Sequence, residues 1–307
     1  MKRFKKQVLK LTMHILGRDR LADEDWGKAN LSWHVEDIAS EGERVSHLYP
    51  NDCYYAHLSI YRFAQAFCRN GLVLDAGSGA GYGAAYLADH GARFCEAVDV
   101  SEKAVAFSRS HFPRRNLRFH VMDLQRISGF PSGFFDLVFS SNTLEHVVDV
   151  PAFLRAAWQV IKPQGVLLVA VPPIANEESW AASLVNLYHL NIWSPAQWYY
   201  VLSLYFAEVQ PYRHRFQKPG VTLDFQNTPA QTTINEEDFV FEPVALEQLL
   251  RLPTLTAIFV VRTPRASKDL PLSDDRLTFV DKSFTRKPPR RVVQRVVVKL
   301  QHILQSS

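Results

Sequence analysis

The sequence predicts an α/β fold: a doubly wound, mostly parallel sheet of seven strands with helices on both faces. Three observations carry that expectation. Short apolar runs alternate with stretches of helical length along the first half of the chain. The runs are continuously apolar, as strands covered on both faces are. The first of them turns into a helix through "GLVLDAGSGAGYG", residues 71–83, which is dense in glycine.

Taken in order, residues 52–69 place Tyr54, Leu58, Tyr61 and Phe67 at helical spacing, with Asn70 and Gly71 to end the helix. Strands are expected at 72–75, 94–99, 117–122, 135–140 and 165–171, and helices near 81–90, 101–111 and 150–161. The pattern loosens after "VPP". Ser194, Pro195 and Gln197 then mark a helix start by reciprocal capping. "AEVQPYRH" and a long irregular stretch follow, then a short helix at 243–251 and an apolar strand, "LTAIFVVR", at 255–262. Residues 263–290 read as a polar linker. Basic amphipathic helices are expected at 1–20 and 291–305.

The chain has 307 residues, 47% of them hydrophobic, which is enough for one sizeable core. No apolar run reaches the roughly 18 to 20 residues of a bilayer span, and Lys10 and His14 interrupt the N-terminal stretch that starts like a secretion signal. A cytoplasmic protein is expected, with the basic ends free to touch a membrane surface or a partner subunit. Cys53, Cys68 and Cys95 form no paired framework and no metal-binding spacing. Residues 1–20 and 282–307 together hold fourteen of the 35 basic residues against one acid. The remaining stretch is acidic, which argues against a nucleic-acid-binding core.

A strand turning sharply into a helix presents backbone N–H groups at the sheet edge where open parallel sheets bind ligands. Glycines keep Cβ atoms out of the way there and permit positive φ. The dinucleotide fingerprint fails, because Tyr82 stands where its third glycine belongs, and the lysine of a phosphate loop is absent. Asp75 closes the first strand, Asp99 the second, and Asp123 follows the third. Three acids at one edge disfavour a phosphate-rich ligand and suit a cationic one.

This arrangement resembles the class I S-adenosylmethionine-dependent methyltransferases, whose fold is Rossmann-like. "LDAGSGAGYG" matches the first family motif, "AVDVS" the second, "MDL" the third and "FDLVFSSNTLEHV" the fourth. The resemblance implies S-adenosylmethionine as cofactor and a methyltransferase domain over residues 45–262, with substrate-selecting insertions at about 172–254. It places Gly77, Gly79 and Gly81 along the cofactor, with Asp75 supporting the loop. It gives the ribose hydroxyls to Asp99 and the adenine amino group to Asp123, with Met122 and Val100 beside the ring and Asn142 at the methionine end.

The acceptor implied is a small molecule or glycan carrying a hydroxyl. His146 of "LEHV" is the candidate base, with Glu145, His57, Tyr61, His189 and His214 as further titratable candidates. An RNA methyltransferase and a non-catalytic cofactor-binding subunit are the alternative readings.

Overall fold

A computed structural model describes residues 44–271, Leu187 excepted. The expected terminal helices at 1–20 and 291–305 lie outside the described residues. The described residues open with helix α1 (Asp52–Ala64), followed by strand β1 (Leu72–Ala76) and α2 (Tyr82–Asp89). Next come β2 (Phe94–Asp99), α3 (Glu102–His111), β3 (Leu117–Val121) and β4 (Phe135–Ser141). Helix α4 (Val150–Val160) leads into β5 (Ile161–Val171). The later half holds α5 (Glu177–Val185), α6 (Pro195–Tyr205), β6 (Phe206–Phe216), β7 (Phe239–Pro243), α7 (Leu246–Arg251) and β8 (Ala257–Pro264).

Among the described residues the sheet has eight strands, in the order β3-β2-β1-β4-β5-β8-β6-β7. The first five are parallel, and β8, β6 and β7 extend them in antiparallel pairing. The eighth strand comes from the stretch that reads as irregular in sequence: β6 pairs along most of its length with β8, and β7 then adds itself to β6.

Side chains sort onto the two faces with the period of two that strands impose. Leu167, Val169 and Val171 of β5, with Phe259 and Val261 of β8, pack beneath α4 and α6. Their neighbours Leu168, Ala170, Ile258 and Val260 join Val73, Leu137 and Phe139 beneath α1 and α2. Both faces are dry, which explains the continuous apolar runs.

Caps set the helix starts. Asn51, Ser101, Asp149 and Ser194 each accept the backbone N–H three residues on, which satisfies a donor the helix itself leaves unpaired. The expected Ser194–Gln197 capping box is present. Of the aromatic residues around it, Trp198, Tyr205 and Phe206 are buried in the core. Packing accounts for these three, and Tyr200 stays exposed.

Asp52 anchors the segment after β6 to α1. Its carboxylate accepts from Asn227 Nδ2, Thr232 Oγ1 and the backbone N–H of Asp224, each at 3.0 Å.

His214, a sequence candidate for proton chemistry, is a core residue of β6. Its Nε2 meets Ser59 Oγ at 2.9 Å, its Nδ1 meets Thr256 Oγ1 at 3.3 Å, and its ring stacks on Phe241. Burial first, and then the nearby His57, depress its pKa to about 3. The unfolded chain therefore takes up a proton below pH 6.5 that the folded state refuses, and stability falls as pH drops from 6.5 towards 3. The expected result is that the stability gap between the native protein and His214→Gln narrows with acidification across that window, read from denaturant midpoints.

Candidate functional site

Strand order reverses between β1 and β4, because β1 continues to β2 on one side and meets β4 on the other. The carboxyl end of such a switch point forms a crevice. The glycine turn fills one wall of it. The backbone N–H groups of Gly77 and Ser78 both donate to the carbonyl of Val98 on β2 (2.9 and 3.0 Å), which pins the turn over the sheet.

Gly77, Gly79 and Gly81 all have positive φ, a conformation that L side chains rarely adopt. Their surroundings differ. A Cβ on Gly77 would lie 2.3 Å from Thr143 Cγ2, and one on Gly81 would lie 2.5 Å from Ser108 Oγ. A Cβ on Gly83, which opens no turn, would lie 2.0 Å from the Tyr61 ring. A Cβ on Gly79 would meet nothing within 4 Å among the described residues. Three of the glycines are thus needed for the turn to pack on its own protein, and Gly79 presents bare backbone to open space.

Asp99 stands beside Gly79 and is 7% exposed. Its Oδ2 accepts from the Gly79 N–H at 2.9 Å, and its Oδ1 accepts from the Ser101 N–H at 2.9 Å and from Arg44 Nη2 at 3.1 Å. A carboxylate offers about four lone-pair sites, so these three donors leave room for a further one. Arg44 was not foreseen: it is a lone arginine before the first helix, and only the fold brings it to Asp99.

Val100 follows at the edge with 71% of its surface exposed, apolar and uncovered. Met122 donates its N–H to the Asp99 carbonyl (2.9 Å), which aligns the ends of β2 and β3. Asp123 caps the turn after β3, accepting from Gln125 N at 2.9 Å. Asn142 ends β4 with φ +47° and donates its N–H to the Ala170 carbonyl at 2.8 Å. The next residue, Thr143, touches Gly77.

Asp75 is fully buried, with Tyr61 OH donating to its Oδ2 at 3.4 Å. Its Oδ1 is buried and has no hydrogen-bond partner among the described residues. Burial is the main reason its pKa rises to about 8. Near neutral pH the acid is largely protonated, so Asp75 drops out of the charge argument made from the sequence. Tyr61 is buried as well and supports Asp75 from below the turn's surface.

Because the Asp75 pKa lies above its unfolded value of 3.8, stability is greatest below that value and is lost as pH rises towards 8. In Asp75→Asn that loss is expected to vanish. Thermal midpoints measured between pH 5 and 9 should favour the variant increasingly as pH rises.

His146 lies on a short turn, Leu144–His146, directly after Thr143. Its Nδ1 points at the Tyr188 carbonyl (3.0 Å), so that nitrogen carries the proton, and Nε2 faces Glu145 Oε1 at 3.8 Å. His189 stands against it with ring centroids 5.1 Å apart.

A hollow of about 560 Å³ is lined by Arg109, Arg114, Arg115 and Arg118 at the end of α3 and the start of β3.

Residues 74–169 match a family described as a methyltransferase domain. The chain is 33% identical over 117 residues to a "probable S-adenosylmethionine-dependent methyltransferase" of Mycolicibacterium smegmatis, covering 38% of this chain and 44% of that one. It is 32% identical over 125 residues to a ubiquinone biosynthesis O-methyltransferase of Methylocella silvestris, covering 40% and 48%. The chain thus spans about half the length of the curated relatives it matches. In fold it is similar to an S-adenosylmethionine-dependent methyltransferase structure from Thermotoga maritima, with a TM-score of 0.52, 15% identity, and 69% and 91% of the two chains covered.

Proposed function

We propose that this chain, which belongs to the class I S-adenosylmethionine-dependent methyltransferases, transfers a methyl group to a hydroxyl on a small molecule or glycan. The observation that carries the reading is the bare Gly79 backbone hydrogen-bonded to the Asp99 carboxylate at the switch point. Such an edge accepts a nucleoside: the open glycine admits close approach, the carboxylate accepts ribose hydroxyls, and the uncovered Val100 offers an apolar face to a ring. Asp123 and the Met122 backbone are assigned to the adenine, and Gly77, Gly81 and Asn142 to the shape of the methionine end.

When bound, S-adenosylmethionine supplies a methyl group on a positively charged sulfur, already activated for displacement. The chain's own contribution is then alignment and the exclusion of water, which are worth about 7 to 11 kcal/mol when the geometry is near attack. Residues 172–254 complete the crevice and are assigned to acceptor choice. The name of the ubiquinone-pathway relative supports an oxygen acceptor.

RNA is the second reading, and the position of the arginine-lined hollow at the far end of α3 speaks against it. The test is incubation with methyl-labelled S-adenosylmethionine and fractionated cell extract. Label in an ether-linked small molecule or glycan is the expected result. Label confined to RNA, or binding of the cofactor with no transfer to any fraction, would contradict the proposal.

A further inference from the structure

We infer that Glu145, His146 and His189 form a binding site for a divalent first-row transition-metal ion at the acceptor end of the crevice. One ligand atom from each of the three lies within 4.8 Å of the others. Two imidazoles and one carboxylate are a donor set that suits ions such as Zn²⁺, Mn²⁺ and Co²⁺, and three protein ligands leave coordination positions open for another oxygen.

The surroundings hold the ligands in place. Glu145 is 2% exposed, so a carboxylate has been taken out of water beside two histidines. A buried carboxylate is costly unless it is paired with a cation or coordinates one. The Tyr188 carbonyl accepts from His146 Nδ1, which turns Nε2 towards Glu145 as the nitrogen available to a metal. Ser183 Oγ lies 2.5 Å from His189 Nδ1. Outer partners of this kind orient metal-binding histidines and set which nitrogen can ligate.

The two segments are also stitched together. Leu190 and Asn191 donate their N–H groups to the Glu145 carbonyl (2.7 and 2.9 Å), and Asn191 Nδ2 donates to the carbonyls of Leu144 and Val147 (2.8 and 2.7 Å). The loop that carries His189 is thereby held against the turn that carries the other two ligands.

The sequence shows no metal motif because the ligands are 43 to 44 residues apart. Only the folding of the stretch after β5 back over the end of β4 brings them together. His146, the candidate base, then serves as a ligand.

Resting on the proposed hydroxyl methylation, the ion would take the acceptor oxygen as a further ligand and acidify it. The O–H bond breaks and its proton leaves to water. The oxygen–carbon bond forms as the carbon–sulfur bond breaks, and the electron pair stays on sulfur as the neutral thioether.

The test is direct titration of the full chain with Co²⁺, followed by visible absorption, with neither methyl donor nor acceptor present. One ion per chain is expected, displaced by Zn²⁺. His189→Ala and Glu145→Gln should bind about 100-fold more weakly or worse. Ser183→Ala, which keeps all three ligands, should bind roughly 10- to 100-fold more weakly. Circular dichroism shows that each variant is folded. Absence of a cobalt band in the native protein, or undiminished binding in folded His189→Ala and Glu145→Gln, would overturn the site. Because no transfer is measured, that failure is separate from failure of the methylation reading.

Discussion

Gly79→Ala is expected to fold and to lose the methyl donor, whereas Gly83→Ala is expected to lose the fold. The two glycines are four residues apart in one motif, and their surroundings are opposite. An alanine at Gly79 pays the left-handed backbone penalty at φ +53°, about 1 to 2 kcal/mol, and touches no protein atom. A domain of ordinary stability, about 5 to 15 kcal/mol, survives that. The new methyl group then occupies the open space assigned to the donor.

At Gly83 the added carbon would overlap the ring of Tyr61. That ring is held by Asp75 through its hydroxyl, and by Phe139 and Tyr82 on its flanks. Overpacking commonly costs about 1 to 3 kcal/mol even where neighbours can shift, and this one cannot shift without exposing Asp75. Thermal unfolding of Gly79→Ala should stay within a few degrees of the native protein, with S-adenosylhomocysteine binding at least tenfold weaker. Gly83→Ala should be insoluble or unfold at a much lower temperature. The reverse pattern would mean that the turn faces no ligand at Gly79.

Asp99→Asn is expected to weaken binding of both S-adenosylmethionine and S-adenosylhomocysteine about 100-fold. Hydrogen bonds to a charged acceptor contribute roughly 1.5 to 3 kcal/mol each, and about 1.4 kcal/mol is a factor of ten. The amide keeps one acceptor oxygen and loses the charge. It also disturbs a position already held by three protein donors, so stability is measured alongside. Arg44→Ala separates the two effects. If Arg44 only steadies the carboxylate, its removal lowers stability modestly and leaves cofactor binding within a few-fold. If binding must displace Arg44 from Asp99, its removal tightens binding instead. Unchanged affinity in a folded Asp99→Asn would remove Asp99 from the site.

The first five strands and the helices between them were legible in the sequence because the strands are continuously apolar runs separated by stretches of helical length. The reading of Asp75, Asp99 and Asp123 as strand-end acids depended only on where those apolar runs stop. Of the later strands, β8 was legible as an apolar run, whereas β6 and β7 were not, for a physical reason. Strand β6, "FAEVQPYRHRF", alternates irregularly between buried and exposed positions, and its partner β8 lies some 50 residues on. No local pattern announces such a pairing.

The roles of the glycines were half visible. Spacing and positive φ follow from composition, but that Gly77 meets Thr143 and Gly83 meets Tyr61 is a property of the fold. The state of Asp75 could not be read either, since burial and not residue type sets its pKa. Arg44 escaped notice, and Glu145, His146 and His189 were named one by one but not as a group, because no spacing in the sequence joins them.

The central claim is that the switch-point edge around Gly79 and Asp99 binds an adenosyl sulfonium or its thioether product. Isothermal titration of the purified chain with S-adenosylhomocysteine, and separately with NADH, tests it directly. The account predicts one saturable site for S-adenosylhomocysteine and none for NADH. Saturable heat with NADH, and none with S-adenosylhomocysteine or S-adenosylmethionine on a folded sample, would contradict it.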